Sequence, residues 1–500
     1  MSSPLQSKMA RGALWMLLFK LAERSLGLIS TLILVRLLSP HDFGLVAMAT
    51  AFVAMAELLS AFGFDIALIQ NQQATERHYN TAWTGNVLLG ATITLIMFVA
   101  AGPIADFYGE PDVFWIVCAL AIGPTLGGLE NIGVVAFRKE MRFKNEFYYQ
   151  VSRKVAAFCV TVPLAFALRN YWALVAGTLV SRAAATGISY VAHPFRPRFS
   201  LAELGSLLRI SVWLLLNNVV TFLKERASDF LLGRLHGPSA LGVYSVSYEL
   251  ANMPMTELSA PINRALLPGF ARLGDANEVS SSYVNTVGIL ALMAMPAATG
   301  IFAVAPFLVP VLLGSKWLAA TALIELLAFN GALLLFHSGI CAMLIARGHA
   351  RQVTITNAAY VTVLVLGLLL ALPRLGAIGA AYAALAATAL STPVYLFHVH
   401  RRLRVAPSEF LRATVRPALA SAVMISVIRF TLPSYDPSTP TTVAIGLLFA
   451  GVAIGAAVYA VAETLLWLAV GRPPGPERLV WARVRVAHAT LAARRARRTP

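Results

Sequence analysis

Charged residues are scarce in this sequence. They make up 13% of its 500 residues, whereas 58% are hydrophobic. A typical soluble domain carries about 25% charged residues. Apolar stretches of about 20 residues, the length that crosses a hydrocarbon core as a helix, recur from one end of the chain to the other. No polar stretch between them is long enough to form a soluble domain. The composition therefore indicates an all-α polytopic membrane protein.

The sequence also lacks the motifs of several enzyme classes. It contains no G-x-x-x-x-G-K-S/T phosphate loop, so no ATPase domain is expected, and no H-E-x-x-H zinc motif. The connections after the odd-numbered apolar stretches are too short to house the active site of a sugar transferase or polymerase. The three cysteines lie within apolar segments and are expected to act as small hydrophobic residues. We therefore predict no enzyme activity, no catalytic residue, no metal site and no cofactor.

The apolar stretches predict about fourteen transmembrane helices. They cover residues 12–35, 44–66, 80–101, 112–137, 151–168, 171–192, 208–232, 242–263, 284–312, 317–346, 353–372, 376–397, 411–431 and 442–469. An even number of spans places both termini on the same side of the membrane.

The 40 lysines and arginines are distributed unequally between the two sides. If the N-terminus is cytoplasmic, the connections after odd-numbered helices lie outside. Those connections hold few cations: Arg36, Arg169, Arg234, Lys316 and Arg374. Most of the others lie on the opposite side, so the positive-inside rule predicts a multi-pass membrane protein with both termini cytoplasmic. This distribution also accounts for the net charge of +17 without nucleic acid as a partner.

One stretch of the sequence occurs twice, as RLLSPHDFGLV in 36–46 and as RLHGPSALGV in 234–243. Three positions match at a constant offset of 198 residues: Arg36 with Arg234, Pro40 with Pro238 and Gly44 with Gly242. Repeats of multi-helix units are typical of transporters. The offset predicts two six-helix lobes of the same orientation, related by a pseudo-two-fold axis, plus two C-terminal helices. The prolines and glycines are expected to shape the turn between helices. The two arginines could hydrogen-bond the last carbonyls of the preceding helix or close an outward gate.

This repeat predicts how the chain is divided. The predicted parts are an N-lobe in 1–192, a cytoplasmic connection in 193–208, a C-lobe in 209–397, helices 13 and 14 in 398–471 and a basic cytoplasmic tail in 472–500. From Ser200 the connection is expected to form a short amphipathic segment on the membrane surface.

Charged side chains within the predicted helices are the candidate functional residues. A charge at mid-bilayer costs about 2.5–3.5 kcal/mol or more, so it usually faces the protein interior or a water-filled cavity. Arg226 is expected to pair with Asp229, three residues later on the same helix. The candidate ligands for an anionic substrate such as a diphosphate are Arg24, Lys224, Lys20, Arg226 and Arg182. The alternative is that these groups only pair with acids and join helices together.

Acidic residues in the predicted helices could couple transport to H⁺ or Na⁺. The candidates for this coupling are Glu57, Glu249 and Glu325, with Glu257 as a further intramembrane acid. The alternative for each of them is a salt bridge or a position at the membrane interface.

Three segments resemble the oligosaccharide-lipid flippases of the multidrug/oligosaccharidyl-lipid/polysaccharide exporter superfamily, and in particular the lipopolysaccharide and colanic-acid type. They are LVRLLSPHDFGLVAMA in 34–49, FYGEPDV in 107–113 and AFRKEMRFK in 136–144. The resemblance implies a two-lobed fold that works by alternating access. It implies an undecaprenyl-diphosphate-linked oligosaccharide as substrate, moved from the cytoplasmic to the periplasmic leaflet, with its diphosphate held by cations of helices 1 and 7. Membrane lipids and a polysaccharide polymerase or export machinery are the implied partners.

Three other functions stay open from the sequence. One is a multidrug or cation antiporter of the same superfamily, which an acid-rich cavity would favour. Another is a flippase for a peptidoglycan lipid precursor. The third is a non-transport enzyme of the same pathway, and the short external connections argue against it.

Overall fold

The computed structural model describes residues 4–58, 64–71, 73–140, 142–207, 212–273 and 275–472. The regular elements in these ranges are α-helices and two short 3-10 helices. The α-helices are α1 Pro4–Leu37, α2 Pro40–Glu57, α3 Phe64–Gln70, α4 Glu76–Tyr108, α5 Pro111–Gly128, α6 Val135–Lys139, α7 Phe143–Leu168, α8 Trp172–Ala192, α9 Leu204–Leu207, α10 Val212–Arg272, α11 Ala276–Leu312, α12 Ala320–Ala346, α13 Ala350–Leu403, α14 Pro407–Thr431 and α15 Thr441–Ala469.

The predicted number of about fourteen helices is confirmed, although several of their bounds differ. Two of the long elements, α10 and α13, each contain two predicted helices joined across a kink, at Gly237 and Gly376. Nine helices in the described ranges are long and apolar enough to cross a membrane. The protein is therefore a multi-pass, all-α membrane protein. The basic tail beyond residue 472 lies outside the described residues.

The chain forms two compact units, unit 1 (Met1–Ser245) and unit 2 (Val246–Pro500). The lobe boundaries given above stay a prediction. In unit 2, buried polar side chains of α12 and α13 are paired with each other. Thr388 donates to Asn330 at 2.6 Å, and His337 lies 2.9 Å from the hydroxyl of Thr392. Such bonds join helices where lipid offers no partners.

The first copy of the repeated motif begins α2. Ser39 is the N-cap, its hydroxyl accepts a hydrogen bond from the Asp42 backbone, and Pro40 occupies the first turn. Asp42 in turn accepts a bond from the Ser39 backbone at 2.9 Å, which completes a capping box. The Asp42 carboxylate also accepts from the backbone of Tyr171 at 3.0 Å, which ties the start of α2 to the start of α8.

The second copy makes the same turn by a different route. Gly237 stands where the first copy has Ser39, and its backbone has φ 75° and ψ −178°. This conformation is accessible almost only to glycine, because a Cβ would clash with the neighbouring backbone. We expect Gly237→Ala to destabilise the protein by about 1–3 kcal/mol. Thermal unfolding of the purified protein in detergent checks this, with Gly102→Ala as the control, since a Cβ there meets no atom within 4 Å. Equal melting temperatures would contradict it.

A predicted helix over 112–137 is interrupted in the structure. The helix α5 ends at Gly128, and a 3-10 turn at 132–134 leads into the short α6. The Asn131 side chain donates to the carbonyls of His193 and Phe195, at 3.3 and 2.7 Å, and its backbone donates to the Ser189 hydroxyl. These contacts with residues some sixty positions later stabilise the break.

The connection after α8 is described up to residue 207, and its position on the membrane surface stays a prediction. It is extended over 193–200 and forms only the four-residue α9 before residue 208. Its backbone donates to side chains at the start of α4, from Arg198 to Asn80 at 2.8 Å and from Ser200 to Thr84 at 2.9 Å. The connection is therefore held against α4, because these polar side chains satisfy its backbone groups.

Candidate functional site

Unit 1 contains a polar cavity of about 430 Å³, lined by α2–α8 and the break after α5. We call it the unit 1 cavity. Its charged lining residues are Glu57, Asp65, Glu130, Arg138, Glu146, Arg153 and Arg182. Four carboxyl groups and three arginines are thus gathered in one cavity of a membrane-embedded unit. Charges in such a unit are expected to lie where they meet water and each other.

Ion pairs join five of the helices around this cavity. Arg182 on α8 donates to Glu57 on α2 at 2.9 Å. Arg138 on α6 lies 3.2 Å from Asp65 on α3 and 3.9 Å from Glu146 on α7. Most of these side chains are well exposed, so each pair is worth roughly 1 kcal/mol or less. Their main effect is to fix which groups face the cavity.

Glu130 and Arg153 also line the cavity but belong to none of these ion pairs. Arg153 donates instead to the side chain of Gln150 at 3.3 Å. Burial raises the pKa of the Glu130 carboxyl, while Tyr149 and Arg153 nearby act in the opposite direction. The cavity therefore offers a carboxyl group and a guanidinium group that a polar ligand could contact.

Two glycines, Gly90 on α4 and Gly128 on α5, allow these helices to pack closely in the wall of the cavity. A Cβ on Gly90 would overlap the carbonyl of Pro124, and a Cβ on Gly128 would overlap the carbonyl of Asn86. Each glycine lies four residues from the carbonyl that the other approaches. Small residues at this spacing let two membrane helices pack backbone to backbone.

The sequence-predicted site residues fall into separate groups in the structure. Arg182 and Glu57 lie together in the unit 1 cavity. Lys20 lies 3.5 Å from Glu23, which is also 3.5 Å from Lys154 on α7. The expected pairing of Arg226 with Asp229 is observed, at 3.0 Å.

Arg24 and Lys224 are half-buried, on α1 and on α10 respectively. Neither is among the lining residues of the unit 1 cavity. Their role as ligands of a diphosphate stays a prediction.

The two other candidate acids lie in unit 2. Glu249 is exposed on α10. Glu325 lines a second cavity of about 480 Å³ together with Arg429, whose guanidinium lies 4.6 Å from the centre of the Phe302 ring. A coupling role for these acids stays a prediction.

Several residues of the unit 1 cavity were missed from the sequence, because residues 138–150 were assigned to a loop between helices. In the structure α7 begins at Phe143, eight residues before the predicted start. Glu146, Gln150 and Arg153 follow each other at spacings of four and three, which places them on one helical face. That spacing is the signal that could have identified them.

The two copies of the repeated motif contact each other within unit 1. A Cβ on Gly44 would overlap the carbonyl of Pro238, and a Cβ on Gly242 would overlap the carbonyl of Pro40. Both glycines lie inside helices rather than at a turn, so the expected turn role is wrong for them. Their function is to allow this close approach.

The family described as "Polysaccharide biosynthesis protein" matches residues 33–322 of the sequence, more than half of the chain. The chain belongs to this family. The match begins just before the first motif copy and runs beyond the second, so it covers both.

Curated proteins of polysaccharide pathways are similar to this family member. It is 27% identical over 352 residues to the lipopolysaccharide biosynthesis protein WzxC of Escherichia coli K12, covering 69% of this chain and 71% of that one. It is 25% identical over 464 residues to the succinoglycan biosynthesis transport protein ExoT of Rhizobium meliloti, covering 89% and 91%. The names of both relatives refer to polysaccharide biosynthesis, and the second also to transport.

Two solved structures share the fold. A structure of the lipid II flippase MurJ in an inward closed conformation matches with a TM-score of 0.73 and 13% identity, over 91% of this chain and 99% of that one. An inward-facing multidrug resistance transporter of the MATE family matches with a TM-score of 0.54 and 13% identity, over 82% and 96%. The predicted fold class, a two-lobed all-α transporter fold, is confirmed by these matches.

Proposed function

We propose that this protein is a flippase that moves undecaprenyl-diphosphate-linked oligosaccharide units from the cytoplasmic to the periplasmic leaflet of the bacterial inner membrane. The observation that carries the proposal is its membership of the polysaccharide biosynthesis family, with a relative named as a transport protein aligned over most of both chains. The transporter fold agrees with movement of a molecule across the membrane. The product would serve the synthesis of O-antigen, exopolysaccharide or capsule.

The unit 1 cavity supports a polar substrate. Its lining mixes arginines, carboxyl groups, Asn86 and Gln150, which suit the hydroxyl groups of a saccharide. The charges are nearly balanced, so the choice of a lipid-linked saccharide over a drug rests on the family and its named relatives. The saccharide would occupy polar space of this kind while the prenyl chain stays in lipid.

The diphosphate of the substrate would be held by Arg24 and Lys224, with Lys20, Arg226 and Arg182 as further cations near its path. Arginine binds phosphate oxygens through two parallel hydrogen bonds, and lysine acts as a point charge. We further propose that both termini are cytoplasmic, that the protein is not an enzyme and that H⁺ or Na⁺ drives transport.

Gene deletion followed by complementation tests the function and the two cations. Deletion is expected to trap lipid-linked repeat units at the cytoplasmic leaflet. We expect Arg24→Ala and Lys224→Ala to lower export by about ten- to a hundredfold each, because a charge-assisted hydrogen bond contributes about 1.5–3 kcal/mol. Export is measured as surface polysaccharide per unit of membrane-inserted protein.

Arg412→Ala is the matched control. Arg412 is 74% exposed and forms an ion pair with Glu409 on its own helix, so its loss should leave export unchanged. Full export by both the Arg24→Ala and the Lys224→Ala variant would refute the assignment of these residues. Lipid-linked units that cross the membrane normally in the deletion strain, together with altered dye efflux, would point to the multidrug alternative.

A further inference from the structure

We propose that the two motif copies form the outer closure of the transport path, through reciprocal packing of Gly44 on Pro238 and of Gly242 on Pro40. We call this contact the glycine–proline interlock. The inference rests on the proposed function, because only a transporter has to open and close such a contact during each cycle.

The contact between the two motif copies is reciprocal. The residues that match in sequence at one offset, Pro40 with Pro238 and Gly44 with Gly242, are the same residues that touch. Each copy presents its proline carbonyl to the glycine of the other. A contact of this kind forms where two related elements meet across a symmetry axis. In alternating access the two repeats move relative to each other, so contacts at this axis would form and break during each cycle.

The contact leaves no room for water. Leu45 and Leu241, next to the two glycines in sequence, are both 0% exposed. Beside it, Phe52 of α2 packs edge-on against Phe230 of α10 with ring centroids 4.9 Å apart. The ring of Tyr108 lies within contact distance of Gly233. The interlock is therefore flanked by buried apolar and aromatic side chains.

The unit 1 cavity lies toward the other end. Asn86 and Gly90 of α4 line the cavity, whereas Tyr108 at the end of α4 lies beside the interlock. Eighteen residues of helix separate Gly90 from Tyr108, which is roughly 27 Å. Unit 1 thus has a polar cavity toward one end and a buried contact at the other, as one state of an alternating-access cycle requires.

Packing through backbone atoms makes the interlock sensitive to a single methyl group. An alanine at Gly44 or Gly242 forces the two motif copies apart, whereas the open state of the transporter has no such contact to lose. We expect either substitution to shift the population toward the open state. The shift occurs without loss of charge or of any side-chain hydrogen bond.

Cysteine labelling in intact cells tests the interlock. Cys118, Cys159 and Cys341 are first replaced, and Leu241→Cys is then introduced as the reporter. A membrane-impermeant maleimide added outside should label the reporter slowly in the otherwise native protein. With Gly44→Ala we expect labelling to rise by about tenfold or more. Gly242→Ala, with the reporter moved to Leu45→Cys, should give the same rise.

Two control variants test whether the rise in labelling is specific to the interlock. Gly102→Ala adds a methyl group in open space on α4, and Gly90→Ala strains a helix contact away from the interlock. Neither should raise labelling. Unchanged labelling with Gly44→Ala, an equal rise with Gly90→Ala, or a rise confined to inside-out vesicles would overturn the proposal. The two proposals can fail separately. If Gly44→Ala raises labelling but gene deletion traps no lipid-linked saccharide, the interlock proposal stands and the flippase proposal is refuted.

Discussion

Arg182→Glu is expected to lower polysaccharide export by about thirtyfold, and a second change, Glu57→Arg, is expected to restore much of it. The native side chains are 2.9 Å apart and about one-third exposed. Losing the attraction alone would cost little, but the reversal places two carboxylates together. Their repulsion is about 4 kcal/mol at a surface-like dielectric constant, and partial exposure lowers it to about 2 kcal/mol. Export per unit of membrane-inserted protein measures the effect.

The double reversal separates two roles of Arg182. If the pair only positions α2 against α8, the swapped pair should restore both protein level and export. If Arg182 also contacts the substrate, the swap should restore protein level but not export. The control is Arg412→Glu, at a well-exposed position outside the cavity, which should leave export unchanged. Native export by Arg182→Glu alone would contradict the importance of this pair.

The helices were predictable because the membrane restricts what a chain can do. A segment that crosses lipid must be about 20 residues long and must satisfy its own backbone, so length and apolar composition identify it. The Arg226–Asp229 pair was predictable for a similar reason, since residues three apart on a helix are neighbours whatever the rest of the fold does. Local rules of this kind were sufficient to predict the number and approximate positions of the helices.

The cavity depended on contacts that no local rule contains. Arg182 and Glu57 are 125 residues apart, and their meeting depends on how α8 is positioned against α2. The break after α5 is stabilised by Asn131, whose side chain bonds to the connection some sixty residues later. The repeat in sequence indicated two related units, but it gave no sign that Gly44 and Pro238 touch.

Gly90→Leu should lower both the stability and the activity of the protein, and Gly128→Leu should do the same. A side chain at either position overlaps a carbonyl of the opposite helix, so α4 and α5 must separate. Overpacking of this kind costs about 1–3 kcal/mol or more. In a protein of this size that should lower the melting temperature by several degrees, since about 1 kcal/mol corresponds to 2–4 °C in domains of 150–250 residues. Thermal unfolding in detergent and export per unit of protein measure the two effects.

The expected loss of activity has a cause of its own, the displacement of the cavity wall. Asn86, Gly90, Pro124 and Gly128 all line it, so moving α4 from α5 also displaces groups that would face the substrate. Export should therefore fall by more than the loss of folded protein explains. Gly102→Leu, on the same helix but facing open space, should lower neither quantity. If Gly102→Leu and Gly90→Leu behaved alike, helix propensity would explain both. If Gly90→Leu lost stability but kept full activity per molecule, the α4–α5 wall would support the fold without shaping the site.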